Sequence, residues 1–306
     1  MLAYILKRLL FAIPTLFVVV ALAFFMMRLA PGGPFDLERP LDPIVMANLS
    51  RIYKLDRPVW EQFGFYLWSL AQGDLGPSFY WRDFTVNELF AKALPISIRL
   101  GAGALALAIV AGGALGAFAA MRQNRAADYL TMSAATLGVT TPSFVVAPLL
   151  QLAFGLGLAW LPIGGWEGGD WRHALLPTIA LALPQIAVVA RLLRASMIEV
   201  LRSNPIRTLR ANGLPARVVY LHALRGAILP AVSYLGPAAA ALMTGSIIVE
   251  NIFAIPGVGR YFIEGALSRD YTLVMGTVVL IAAMVIVLNL VVDILYALID
   301  PRVRYE

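Results

Sequence analysis

Of the 306 residues, 60% are hydrophobic and only 14% are charged. Soluble domains carry about 25% charged residues, so this chain lacks the polar surface to cover a soluble core of its length. It has no cysteine and only two histidines, His173 and His222, far apart in sequence. Disulfides and thiolate metal sites are excluded, and a metal enzyme is disfavoured. The chain is read with the lipid bilayer as its solvent, and its net charge of +6 as a matter of topology rather than nucleic-acid binding.

A spanning helix needs about 20 mostly apolar residues, and such windows recur along the chain. The first is Leu9 through Met27, after Lys7 and Arg8. Its apolar run exceeds the roughly 7–15 residues of a signal peptide, so an uncleaved signal-anchor helix is expected. The second is Leu100 through Met121. Leu130 through Trp166 is too long for one simple span. It carries Pro142, Pro148 and Pro162, and reads as a kinked helix with an irregular exit. Ala174 through Ala190, Gly226 through Val249 and Tyr271 through Val292 complete a set of six.

Between the first and second windows lies the largest extramembrane segment, within 29–95. Inside it, Val59, Phe63, Tyr66, Leu67 and Leu70 have the spacing of one amphipathic helix, begun by Pro58 and ended near Gly73. A small packed cap is the favoured reading of this piece. The organisation is therefore an N-terminal span (1–28), an outward segment (29–95) and a five-span core (96–306).

Six spans place both termini on one side, and the arginines say which. Lys7, Arg8, Arg122, Arg125, Arg191, Arg194, Arg202, Arg207, Arg210, Arg217, Arg225, Arg302 and Arg304 all fall in segments sharing a side with the termini. In the opposite segments acids and bases nearly balance. Both termini are expected in the cytoplasm.

No phosphate-binding loop, no H-E-x-x-H and no Ser–His–acid arrangement is present, so no catalytic residue is expected. A carrier coupled to protons would need carboxylates within the spans. Asp293 is the best candidate, and an ion pair with Arg302 or Arg304 is its favoured reading. Glu250, at the end of the fifth window, reads as a helix-end residue.

Ser203 to Leu224 reads SNPIRTLRANGLPARVVYLHAL. Ser203 or Asn204 can cap a helix with Pro205 in its first turn. Ile206, Leu209 and Arg210 follow on successive turns, and Gly213 suits the left-handed residue that stops it. Leu214-Pro215 starts a second helix. From topology alone, a positive-inside loop explains the arginines equally well.

RTLRANG, followed by Leu229-Pro230, resembles the E-A-A-x-x-x-G…L-P loop of ATP-binding-cassette (ABC) importer permeases. Arg207, Thr208 and Leu209 stand at the Glu-Ala-Ala positions, and Gly213 is the loop glycine. Leu209 departs from the usual alanine, and Asn212 from a common lysine. The basic form is similar to the peptide and nickel permease subfamily, closest to its oligopeptide B-type subunits. Met26–Phe35, Gly73–Phe79, Pro142–Leu150, Ser196–Thr208, Thr244–Gly259 and Ala297–Tyr305 share the resemblance, which covers essentially the whole chain.

The resemblance implies an all-α, six-span type I importer permease of the bacterial inner membrane. It implies a cytoplasmic coupling loop within 196–226, whose contact with an ATPase would run through Asn204, Pro205, Ile206, Arg207, Thr208, Leu209, Arg210, Ala211, Asn212, Gly213, Leu214 and Pro215. The implied partners are a second homologous permease, two ATPases carrying ATP and Mg, and an extracytoplasmic peptide-binding protein. Oligopeptide is the implied substrate and lipid the surroundings, with no cofactor or metal in this chain. The rival readings are a same-family permease for dipeptides, nickel or metal chelates, a proton-coupled peptide carrier, and a passive membrane scaffold.

Overall fold

The computed structural model describes residues 2–29, 53–244 and 247–299, with Met46, Asn48 and Arg51 besides. Parts of the Met26–Phe35, Thr244–Gly259 and Ala297–Tyr305 motifs lie outside the described residues, as do the Asp293 side chain and its expected arginine partners. Within them the chain is helical apart from its connections; one isolated bridge joins Pro77 and Thr85.

Helix α1 is Leu2–Leu29. The amphipathic helix expected after Pro58 is α2, Val59–Ala71, with Pro58 as its N-cap and Gly73 at φ +76° just past its end. Phe63, Tyr66, Leu67 and Leu70 pack on Val20 and Phe24 of α1 and on Met275 and Val279 further along the chain. Val59, Trp60 and Trp68 stay exposed. Helix α3, Val86–Leu107, starts on a capping box. The Thr85 hydroxyl accepts from the Glu88 N–H at 3.2 Å, and the Glu88 carboxylate accepts from the Thr85 N–H at 2.8 Å. A π-helical turn at Ala108–Gly112 leads into α4, Gly113–Met121. The second span is thus one 36-residue rod.

The third window breaks more sharply than a kink. Helices α5, Ala126–Thr140, and α6, Ser143–Leu150, meet across Thr141-Pro142, and a π-helical stretch, Gln151–Gly157, prolongs α6. The two arms are bent by 103°. Pro142 favours an extended residue before it, and Thr141 has ψ 116°.

Helix α7, Trp171–Leu201, is next, then α8, Asn204–Ala211, and α9, Ala216–Met243. Short helices α10, Ile247–Ile252, and α11, Val258–Leu267, precede α12, Tyr271–Ile299. Five rods are long and apolar enough to span a bilayer, and the bent pair makes a sixth. Its contacts run one way along α7. Asp128 meets Arg194, Gly138 lies against Leu183 and Ala187, and Ala147 joins a cluster with Leu176 and Ala180. These contacts progress from one end of α7 toward the other, which suits one broken crossing.

Helix α7 is the pillar of the fold, packed by α3, α4, α5, α6 and α9. Small residues let the backbones close up, the usual device where lipid supplies no hydrophobic drive between helices. An added Cβ at Gly116 would lie 2.5 Å from the Ala190 carbonyl oxygen, and one at Gly112 would lie 2.7 Å from that of Ile186. At the α2 end, buried Asp270 fixes α12. One carboxylate oxygen accepts from the Leu273 N–H at 3.0 Å, and the other accepts from the Tyr80 N–H at 3.0 Å and from the Ser78 hydroxyl.

The helices outrun the apolar windows. Helix α7 has 31 residues, about 46 Å at 1.5 Å per residue, against a hydrocarbon layer of about 30 Å. Arg191 and Arg194, expected in a loop, are therefore residues of α7, and Arg217 and Arg225 lie on α9.

Gly116→Val is expected to destabilise the α4–α7 contact by about 1–3 kcal/mol through overpacking. Gly113→Ala, whose Cβ would meet its nearest atom at 4.0 Å, is expected to cost little. Thermal unfolding of the two variants in the same detergent checks the contrast.

Candidate functional site

The site predicted around Ser203–Pro215 forms a compact helix–turn–helix. Ser203 is the N-cap in extended conformation, φ −71° and ψ 157°, without a side-chain cap bond. Its carbonyl accepts from the Arg207 N–H at 3.1 Å. The stop is chemically well defined. Gly213 sits at φ +72°, its N–H donates to the Arg210 carbonyl at 3.0 Å, and the Leu214 N–H reaches back to the Leu209 carbonyl at 3.3 Å. That pair of bonds is a Schellman motif, which favours glycine at its left-handed position. Pro215 then caps α9, its carbonyl accepting from the Val218 and Val219 N–H groups at 2.9 and 3.2 Å.

Helix α8 has one apolar side. Ile206 is 3% exposed and packs with Ala120, Leu193, Met197, Val219, Ala223 and Ala227. Burying such a side chain contributes about 1.5–3 kcal/mol. Leu209 leans on the same cluster. The leucine that replaces a small residue of the resembled motif therefore turns its bulk toward its own chain. Asn204, Pro205, Arg207, Thr208, Arg210, Ala211, Asn212, Gly213, Leu214 and Pro215 are exposed. Arg207, Arg210, Arg217 and Arg225 are also exposed and make no ion pair among the described residues. A cleft beside α8, lined by Gln123, Arg125, Arg202, Arg210 and Tyr220, is likewise basic.

Arg194 behaves differently. It grips buried Asp128 with two hydrogen bonds of 2.6 Å, Nε to Oδ1 and Nη2 to Oδ2. Asp128 also accepts from the Asn124 N–H at 3.0 Å. This fork fixes the start of α5 to the arginine-bearing end of α7. It marks Arg194 as a structural cation and leaves the α8 arginines available for an external partner.

Two polar groups that the sequence reading placed lightly, or not at all, are prominent. Glu250 is fully buried on α10. Its carboxylate accepts from the Ser97 hydroxyl at 2.7 Å and from the Gly259 N–H at 2.8 Å, while the Val258 N–H donates to the Ser97 oxygen at 2.9 Å. It is a helix-end residue, as expected, but the end it caps is the start of the next helix, α11, tied through Ser97 to α3. The second group is the Gln185–Tyr234 pair, in which the phenol donates to the amide oxygen across α7 and α9 at 2.5 Å. A glutamine in an apolar window was the available signal. No cluster of three or more metal-ligating side chains occurs among the described residues.

Residues 112–305 match the family described as "Binding-protein-dependent transport system inner membrane component". The chain is 52% identical over 306 residues to the oligopeptide transport system permease protein OppB of Salmonella typhimurium, with all of both chains covered. The Escherichia coli K12 protein of the same name is also 52% identical over the full length. The dipeptide transport system permease protein DppB of Bacillus subtilis is 41% identical, covering 98% of this chain and 97% of that one. Among solved structures, an amino acid ABC transporter crystallised with histidines superposes with a TM-score of 0.51. It covers 71% of this chain and 94% of its own, at 20% identity. That likeness concerns the fold alone and agrees with the expected type I permease architecture.

Proposed function

Because this chain belongs to the family of binding-protein-dependent transport system inner membrane components, we propose that it is the B-type permease subunit of an ATP-driven oligopeptide importer. The observation that carries this reading is the 52% identity to oligopeptide permeases along the whole chain. The dipeptide permeases stand further off at 41%. The chain is a multi-pass membrane protein, placed by this reading in the bacterial inner membrane with both termini in the cytoplasm.

In the proposed mechanism the chain pairs with a second, homologous permease, and the two line a central path. A peptide-binding protein delivers cargo from outside. Two ATPase subunits, carrying ATP and Mg, sit below and receive residues 204–215. The geometry suits this role. Ile206 and Leu209 seat α8 on its own chain, while Arg207, Thr208 and Arg210 face outward for a partner's grip. ATP binding draws the ATPases together and shifts the permeases from inward-open to outward-open, and hydrolysis resets them. The ATPases must bind the two states with different affinity, since equal affinity shifts nothing. A proton-coupled carrier is less well supported, because the buried carboxylates of Asp128, Glu250 and Asp270 each hold structure together.

Topology follows from the arginine asymmetry and is directly measurable. Gln72 and Asn212 are exposed, whereas Ser78 is fully buried and would make a poor reporter. In intact cells with a permeable outer envelope, an impermeant thiol reagent is expected to label Gln72→Cys and spare Asn212→Cys. The reverse pattern inverts the orientation.

Coupling rests on the turn. Nothing lies within 4 Å of a Cβ built at Gly213, so Gly213→Val acts through φ alone, at a cost of about 1–3 kcal/mol. Relaxation of that strain would turn Arg207 and Arg210 relative to Pro215. Peptide uptake is expected to fall about tenfold, with ATP hydrolysis no longer responding to loaded binding protein. Gly213→Asn, which tolerates the left-handed region, is expected to retain most activity. Wild-type uptake and stimulated hydrolysis in the valine variant would reduce α8 to a positive-inside loop.

A further inference from the structure

Polar side chains inside a bilayer face protein or water, because hydrocarbon offers them no partner. Around its middle, helix α7 is met from three sides. Gly138 of α5 lies against Leu183 and Ala187. Gly112 and Gly116 lie against Ile186, Val189 and Ala190. On the third side, the Tyr234 hydroxyl of α9 reaches Gln185. Between the α5 side and the α9 side remains an open stripe of Pro184, Val188, Arg191 and Ala195, residues that 3.6 per turn brings onto one face. Arg191 and Ala195 are exposed, and Pro184 and Val188 half-buried.

Gln185 stands at the edge of this stripe, midway along α7. Its amide oxygen is occupied by Tyr234, but its NH2 group, with two donors, has no protein partner among the described residues. The side chain is half-buried rather than enclosed. Tyr234 sits between Pro230 and Pro237 of α9. Pro237 has no N–H to offer the carbonyl of Ser233, and Ser233 is exposed. One level of the molecule therefore presents amide donors beside an open stripe.

We infer that the Gln185–Tyr234 pair faces the translocation path and hydrogen-bonds the backbone of the passing peptide. This rests on the peptide-importer reading above and gives it a contact. Backbone C=O groups recur in every peptide, so a station built from one glutamine amide reads chain rather than sequence. Such a contact fits a path that must pass many peptides, with side-chain selection left to other elements.

The test uses the complete reconstituted complex, with the other subunits free of accessible cysteines. Gln185→Cys is expected to react with a water-soluble, impermeant thiol reagent in the nucleotide-free complex. Trapping with ATP and peptide-loaded binding protein is expected to change that rate. Reaction with a lipid-soluble maleimide alone would put residue 185 against lipid, and reaction with neither reagent would bury it under a partner subunit. Either result overturns the proposal. Gln185→Leu is expected to lower uptake per ATP hydrolysed about tenfold for peptides of unrelated sequence, and Gln185→Asn to recover part of it. Wild-type transport by the leucine variant also overturns the proposal. If the unaltered complex imports no peptide while the cysteine still reacts from water, the substrate reading fails and the path-facing position stands.

Discussion

The close approach of small residues to one long helix is the constraint on which the structure depends. In lipid there is no hydrophobic force to press helix against helix, so contact must come from backbones near enough for dispersion and fit. Helix α7 supplies Ala180, Ala182, Ala187 and Ala190 for this, all nearly inaccessible. Gly112, Gly116 and Gly138 answer from its neighbours. Once these contacts are set, the positions of α3, α4, α5 and α6 follow. The broken third span has room to bend because each arm finds its own stretch of the pillar.

The same helix links the two ends of the molecule. At the arginine-bearing end it runs through Arg202 and Ser203 into α8, and Met197 shares a buried cluster with Ile206 and Val219. At the other end Leu176 and Ala180 share one with Leu242, Val249 and Phe253. Midway sits Gln185. Packed cores resist gradual deformation, so a displacement of α8 would be carried into α7 and α9 rather than absorbed at the joint. The proposed coupling and the proposed peptide contact are thus two stations on one rod. The buried ties of Asp128, Glu250 and Asp270 hold the surrounding helices in register.

Much of this was legible in the residues. Span number, the amphipathic helix after Pro58 and the left-handed stop at Gly213 all follow from local patterns, and local patterns survive into the fold. Helix ends were less readable. Hydropathy marks where lipid begins, whereas α7 and α9 continue as helix into water, taking Arg191, Arg194, Arg217 and Arg225 with them. Pairings between distant segments left no mark. Nothing in the sequence tells that Asp128 meets Arg194 while Arg210 meets no acid among the described residues, or that Glu250 caps a helix beginning eight residues later. The orientation of Leu209 was hidden for the same reason, since it depends on how α8 rolls against Met197 and Val219.

Ala120, Leu193, Met197 and Ile206 share one buried cluster, which would make α8 move as one body with the ends of α4 and α7. Pulsed electron resonance between spin labels at Arg122, the C-cap of α4, and Thr208, in the assembled complex, tests this. This distance is expected to change by no more than about 2 Å between nucleotide-free and ATP-trapped states. The distance from Thr208 to the corresponding helix of the second permease should change by roughly 5 Å or more. A Thr208–Arg122 distance that changes as much as the distance between subunits would mean that α8 swings free of the pillar and is not one body with it.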